Sequence, residues 1–260
     1  MEKIKYKSNI NLHSKFTNKF IQYCKLQILM NKEIKTPWGK IIPEVSLFPI
    51  FYLLFIYCFV YILPYGKFFI GISWFDWLRS EDGPLEWMQF IQYSVSSLLA
   101  FLVFYRQKKK REVNSIIWLL IAFLSFLIAG EEISWGERLT GIGIDAISNL
   151  NVQGETNFHN LPFFHNYLLD PVFEISCIFL GWFSWRRFKE INALPNKDLS
   201  LFFLSVALFY FYFDISWAST TEQIRNDQEI FEFLLSSGIF VHCLRNFRKL
   251  KLFKFDDNLI

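Results

Sequence analysis

Apolar and polar positions alternate in long blocks along this chain. Six apolar runs, at residues 45–63, 86–105, 115–135, 171–185, 199–217 and 229–244, are separated by polar stretches. A helix needs about 20 residues to cross a bilayer, so the shorter runs reach across only if flanking polar residues are included. Backbone polar groups cannot be left unpaired in lipid, which makes helices the expected form. The pattern predicts an all-α integral membrane protein of six transmembrane helices arranged as three helical hairpins.

The tripeptide Ile-Ser-Trp occurs three times, at Ile72-Ser73-Trp74, Ile133-Ser134-Trp135 and Ile215-Ser216-Trp217. Each copy closes an apolar run, and a polar stretch then leads to an acid that opens the next: Glu86, Glu174 and Glu232. The re-entry sequences begin with Asp82-Gly83-Pro84, Asp170-Pro171 and Gln228-Glu229. Asp170 before Pro171 reads as an N-cap followed by proline at the first helical position. Counting about 20 residues outward from the basic ends of the runs takes Glu131, Glu132, Asp214, Glu229 and Glu232 into the spans, with Glu174 near the limit. Ionisable groups inside a span cost several kcal/mol unless paired or hydrated, so these acids are functional candidates.

Helical spacing gives the faces. Glu86, Gln89, Tyr93, Ser96 and Ala100 form one stripe, Ala122, Ser125, Ala129 and Glu132 a second, and Glu229, Glu232 and Ser236 a third. Small and polar stripes let helices pack closely, which turns Glu86, Glu132 and Glu232 inward. Glu131 lies about 100° from Glu132 on a helix and is expected to face a neighbouring loop.

Charge then sets orientation. The net charge is +3 over 260 residues, but the basic residues cluster at the amino terminus and at 106–111, 186–189 and 245–254, on alternate ends of the runs. The positive-inside rule places both termini in the cytoplasm and the acids on the outer face of the cytoplasmic membrane. Three segments follow: a basic cytoplasmic stretch at 1–44, a membrane domain at 45–244 with a long outer loop at 136–170, and a basic tail at 245–260. Residues 16–35 suit an interfacial amphipathic helix or a basic tail. No cleavable signal peptide is expected. The cysteines, Cys24, Cys58, Cys177 and Cys243, avoid the outer loops, so no disulfide framework is implied. Serine-nucleophile elbows, phosphate loops and dinucleotide fingerprints are absent from the sequence. The basic segments read as topology signals in contact with membrane lipid, and no nucleic-acid partner is expected.

The long middle loop carries two blocks, Glu131-Glu132-Ile133-Ser134-Trp135-Gly136-Glu137-Arg138 and Asn151-Val152-Gln153-Gly154-Glu155-Thr156-Asn157-Phe158-His159-Asn160. These resemble a family of uncharacterised polytopic membrane proteins of bacteria and archaea. Its members have Glu-Glu-Ile-Ser-Trp-Gly-Gln-Arg followed by Asn-x-Gln-x-Glu-x-Asn-x-His-Asn. Glu137 stands where that family usually has Gln. The resemblance implies a shared site and brings no activity with it.

On a helix, Glu155 and His159 would project from one face. With Glu132 they are candidate ligands for a divalent metal, and oxygen and imidazole donors without thiols suit Zn, Mn or Mg. The alternatives are a general base oriented by a carboxylate and a polar loop fastened over the bundle by hydrogen bonds. Arg138, one of three outer-loop arginines with Arg79 and Arg225, is a candidate to hold an anionic group or to neutralise internal acids. The leading expectation is an extracytoplasmic hydrolase or transferase acting on a lipid or lipid-linked anionic substrate. Glu131, Glu132, His159 and Glu232 would be its catalytic groups, and Arg138, Asn157, Asn160 and Glu86 its binding groups. A proton- or cation-coupled carrier and a non-catalytic assembly subunit are the alternatives.

Overall fold

The computed structural model describes residues 33–35, 41–58, 72–80, 82–112, 114–152, 154–215 and 227–256. The described chain is helical except for one small antiparallel hairpin, β1 (Glu33–Lys35) and β2 (Ile41–Pro43), in which Ile34 stands opposite Ile42. The rest of the described chain bears out the all-helical expectation, and β1 falls at the end of the 16–35 segment that suited an interfacial helix or a basic tail. Residues 16–32 of that segment, with His13, Cys24 and the amino-terminal lysines, lie outside the described residues. The hairpin belongs to a first compact unit, Met1–Phe48, and the site lies wholly within the second, Pro49–Ile260.

Eight of the ten helices introduced here precede the last two: α1 (Phe48–Tyr57), α2 (Ile72–Leu78), α3 (Pro84–Lys109), α4 (Ser115–Glu132), α5 (Glu137–Thr140), α6 (Asp145–Ser148), α7 (Leu169–Ile178) and α8 (Ser184–Arg187). Then come α9 (Ser200–Ile215) and α10 (Gln228–Asp256). Helices α3, α4 and the Gln228–Leu250 stretch of α10 are long and apolar enough to cross a membrane, which marks a membrane protein. Their faces divide as lipid requires. Ile91, Leu98 and Phe101 on α3, and Ile116, Leu120 and Phe123 on α4, are exposed. Ser96, Ala100, Ala122, Ser125 and Ala129 are buried, because small side chains let the backbones approach. The Ser97 hydroxyl crosses from α3 to donate to the Ala122 carbonyl at 2.8 Å.

Leu99, Val103, Trp118, Ala122 and Cys243 form the core where α3, α4 and α10 meet. His242 stacks on Trp118 at 5.1 Å and its Nε2 lies 2.9 Å from the Ala193 carbonyl oxygen. Helix α9 packs on α7 and α10. It comes close to α10 at Gly238, where a Cβ would stand 2.8 Å from Phe202 Cβ.

Two local expectations change. Asp170 and Pro171 do not open a helix: a π turn over Phe164–Leu168 runs directly into α7, so Pro171 is the third residue of a helix already under way. Proline lacks the N–H that would bond back to residue 167 and its ring crowds that carbonyl; a widened turn just ahead of it accommodates both defects. A second π turn, Phe179–Phe183, continues α7 into α8. The non-helical part of the middle loop is therefore shorter than 136–170. The Ile-Ser-Trp copies also differ from one another. Ile72 opens α2 instead of closing a run, and Ile215 ends α9 while Ser216 and Trp217 lie outside the described residues. Only the middle copy makes a turn whose side chains are described.

Candidate functional site

The chain leaves α4 through that turn. Ser134, Trp135 and Gly136 have φ values of 46°, 53° and 97°, all left-handed. A left-handed backbone costs an L-residue roughly 1–2 kcal/mol, so Ser134 and Trp135 must be held by their surroundings. Gly130 provides the room: a Cβ there would meet the Trp135 ring at 2.9 Å. The indole Nε1 donates to Glu131 Oε1 at 2.5 Å, and the ring stands edge-on to Phe126 and Phe158. The Ser134 hydroxyl donates to Glu155 Oε2 at 2.6 Å.

Two hubs then fasten the loop over the helix ends. The first is Arg138, whose side chain is 10% exposed. Its Nη1 lies 2.5 Å from Glu86 Oε1 and 3.1 Å from Asp82 Oδ1, and its Nη2 lies 3.1 Å from Glu155 Oε2. Burial works against the guanidinium charge, but the carboxylates of Glu86, Glu155 and Asp82 outweigh it and hold the pKa above its ordinary value. Glu86 serves twice, because its Oε2 also accepts the Asp82 N–H at 2.5 Å and so caps the start of α3. Glu155 additionally accepts from Asn157 Nδ2 at 2.9 Å, and Asn157 Oδ1 accepts from Asn151 Nδ2 at 2.7 Å. Asn157 and Asn160 are buried, and the Asn160 carbonyl accepts the Val152 N–H at 3.0 Å.

The second hub is Glu131. Its Oε2 accepts the N–H groups of Phe158 at 2.7 Å and His159 at 2.9 Å, and lies 3.1 Å from His159 Nδ1. Glu131 thus faces the loop, in the direction its 100° offset from Glu132 implied. His159 is 38% exposed, and Nδ1 is its only ring nitrogen with a hydrogen-bond partner among the described residues. A proton on Nδ1 directed at the carboxylate leaves the Nε2 lone pair unbonded among the described residues, on a partly exposed side chain.

Residues 151–160 run through turns and bends, with Gln153 outside the described residues. The four-residue spacing therefore does not put Glu155 and His159 on one face: Glu155 faces Arg138 and Ser134, whereas His159 faces Glu131. Among the described residues no three His, Cys, Asp or Glu side chains are grouped to hold a metal ion.

Glu132 and Glu232 belong to a deeper layer. Glu132 is half-buried, with the carboxylates of Glu232, Glu229 and Glu86 and the Arg138 guanidinium as charged neighbours. Glu232 Oε1 accepts from the Tyr210 hydroxyl at 2.7 Å and from Gln228 Nε2 at 2.8 Å. Gln89 Nε2 donates to Glu229 Oε2 at 2.8 Å, and Gln92 Oε1 accepts from the Ser236 hydroxyl at 2.5 Å.

No protein-family model, curated protein or solved structure matches the chain.

Sequence reasoning passed over three contributors. Trp135 read as the end of a span, yet its indole fixes Glu131. Ser134 read as a repeat member, yet it ties the turn to Glu155. Glu137 read as a departure from the resembled block, yet its Oε2 accepts the Thr156 N–H at 2.6 Å, a bond that a glutamine oxygen makes equally well. Arg79 is paired internally, to Asp76 at 2.8 Å and Asp227 at 2.5 Å; Arg225 lies outside the described residues. The patch has the parts for proton transfer at its rim: an imidazole oriented by a carboxylate, with its other nitrogen open.

Proposed function

We propose that the chain is a membrane enzyme that performs general acid–base hydrolysis or group transfer on a lipid or lipid-linked substrate. The observation that carries this reading is the pair of Glu131 and His159. The carboxylate is held by two backbone N–H groups and an indole, and in turn orients an imidazole whose Nε2 is accessible. In this role Nε2 takes a proton from water or a substrate hydroxyl as that oxygen attacks, then returns it to the leaving oxygen. Such a group is worth about 10²–10⁴-fold in rate. Exposed Phe158, Phe163, Phe164 and Tyr167 near the pair along the chain suit the interfacial depth where aromatic side chains gather.

Several finer assignments belong to the same proposal. The chain crosses the cytoplasmic membrane six times as three hairpins, with both termini in the cytoplasm and the site facing out; the alternation of basic clusters supports this. The Glu131 and Asn151 blocks form one site, as the resemblance of both to the same family implies. An anionic group on the substrate would have to compete with Asp82, Glu86 and Glu155 for Arg138. A divalent Zn, Mn or Mg held by Glu132, Glu155 and His159 would require the loop to turn Glu155 away from Arg138.

The test is a screen of phospholipids, glycolipids and isoprenoid-linked sugars in mixed micelles, with release of water-soluble product read by mass spectrometry. Wild type should turn over at least one class, and His159→Ala should lose it by 10²-fold or more while melting normally. Equal turnover by both proteins, or none by wild type, would overturn the reading.

A further inference from the structure

The deeper acid layer around Glu132, Glu229 and Glu232 contains an unsatisfied group. Gln89 is fully buried on α3, and its Nε2 is committed to Glu229 Oε2 at 2.8 Å. Its Oε1 is buried and has no hydrogen-bond partner. Exchanging the two amide atoms does not help, because it would set an oxygen against the carboxylate. A buried amide oxygen left without a partner costs about 1–3 kcal/mol, and no donor among the described residues bonds to it. The adjoining helices offer acids instead. Glu132 on α4 makes no hydrogen bond among the described residues, and its carboxylate neighbours are Glu229 and Glu232 from α10 and Glu86 from α3. Among the described residues Arg138 is the cation that acts on Glu132, and it is already bound to Asp82, Glu86 and Glu155.

An unpartnered acceptor beside an excess of carboxylates calls for an occupant that is positive and binds oxygen. We propose that Gln89 Oε1, together with the Glu229 and Glu132 carboxylates, forms a binding site for a monovalent alkali cation inside the helix bundle. The valence follows from the donor set. Hard cations take oxygen ligands, and no three carboxylates among the described residues are grouped as a metal site, so the ligand charge offered is small. An amide oxygen, one or two carboxylates and retained water suit a single charge. The site is separate from the pair of Glu131 and His159 and does not depend on its chemistry.

The experiment is thermal unfolding of the full-length, detergent-purified chain in graded LiCl, NaCl and KCl, with choline chloride holding ionic strength constant. Binding to the folded state alone raises the melting temperature, with the logarithm of ion concentration once that exceeds the dissociation constant. At least one alkali ion should do so where choline does not, and equilibrium dialysis should return one ion per chain. Gln89→Leu removes the acceptor without changing charge, and Glu132→Gln removes charge while keeping shape. Each should raise the half-saturating concentration at least tenfold. Identical melting in every salt would overturn the proposal, as would a wild-type response surviving in both variants. If Gln89→Leu does not fold, Glu132→Gln and the dialysis decide the question.

Discussion

Replacing Arg138 by methionine would keep an unbranched apolar stem and remove the guanidinium with its charge. Three carboxylates would then share a site without a cation. Their weights differ. Glu86, like Arg138, is 10% exposed, Glu155 is 24% exposed and Asp82 is 62% exposed. The Asp82 arm is mostly solvated and contributes under about 1 kcal/mol. The Glu86 arm carries most of the effect, since stranding one partner of a buried pair costs about 3–5 kcal/mol. For a chain of this size that is a loss of about 10 °C in melting temperature. Arg138→Lys keeps the charge but cannot fork toward Glu86 and Glu155 together, so it should lose roughly half as much. Adding Glu86→Gln to Arg138→Met removes one stranded charge and should recover part of the loss, giving a coupling energy of 1 kcal/mol or more in a double-mutant cycle. Thermal unfolding of the four purified proteins provides the assay. An Arg138→Met protein melting within about 1 °C of wild type would refute the argument, as would strict additivity in the cycle.

Glu131→Ala removes the acceptor for the Phe158 and His159 N–H groups, so the loop should open locally; limited proteolysis should cut within 151–160 at least tenfold faster, and unchanged cleavage would mean the loop is held elsewhere. Gly181→Ala forces a Cβ to within 2.8 Å of Leu204 Cγ and 3.1 Å of the Leu204 backbone nitrogen. Overpacking of this kind costs about 1–3 kcal/mol, readable as a lower melting temperature, and a neutral result would show that α9 can shift. Elemental analysis of wild type beside His159→Ala should find no stoichiometric Zn, Mn or Mg that depends on the imidazole. A metal present in wild type and lost in the variant would replace the acid–base mechanism with a metal-assisted one.

What the sequence made legible was periodic. The stripe of Gln89, Tyr93, Ser96 and Ala100 is buried as its spacing implied, and Glu131 and Glu132 part in different directions for the same reason. The illegible part lay where backbone conformation departs from a period. Nothing in Ser134-Trp135-Gly136 announces three left-handed residues in succession, because only the glycine favours them intrinsically. Asp170-Pro171 carries a valid start signal, overridden by a π turn that tertiary packing imposes. Glu155 and His159 were joined by a helical spacing that their segment does not adopt. The partners of Arg138 come from α3, the turn and the loop, and such long-range pairing leaves no local trace.

The way Glu131 binds the loop bears on how this protein would tolerate sequence drift. Its Oε2 receives two backbone N–H groups, which every residue except proline supplies. Position 158 can therefore vary without losing that hydrogen bond, giving up only the edge-on contact of its ring with Trp135, whereas position 131 cannot, and proline at 158 or 159 should be excluded. A saturation library across 155–160, scored for folded protein, would show a shallow profile at 158, mildest for aromatic residues, with a gap at proline. Beside it should stand a steep one at 157, where the buried amide is itself the connector.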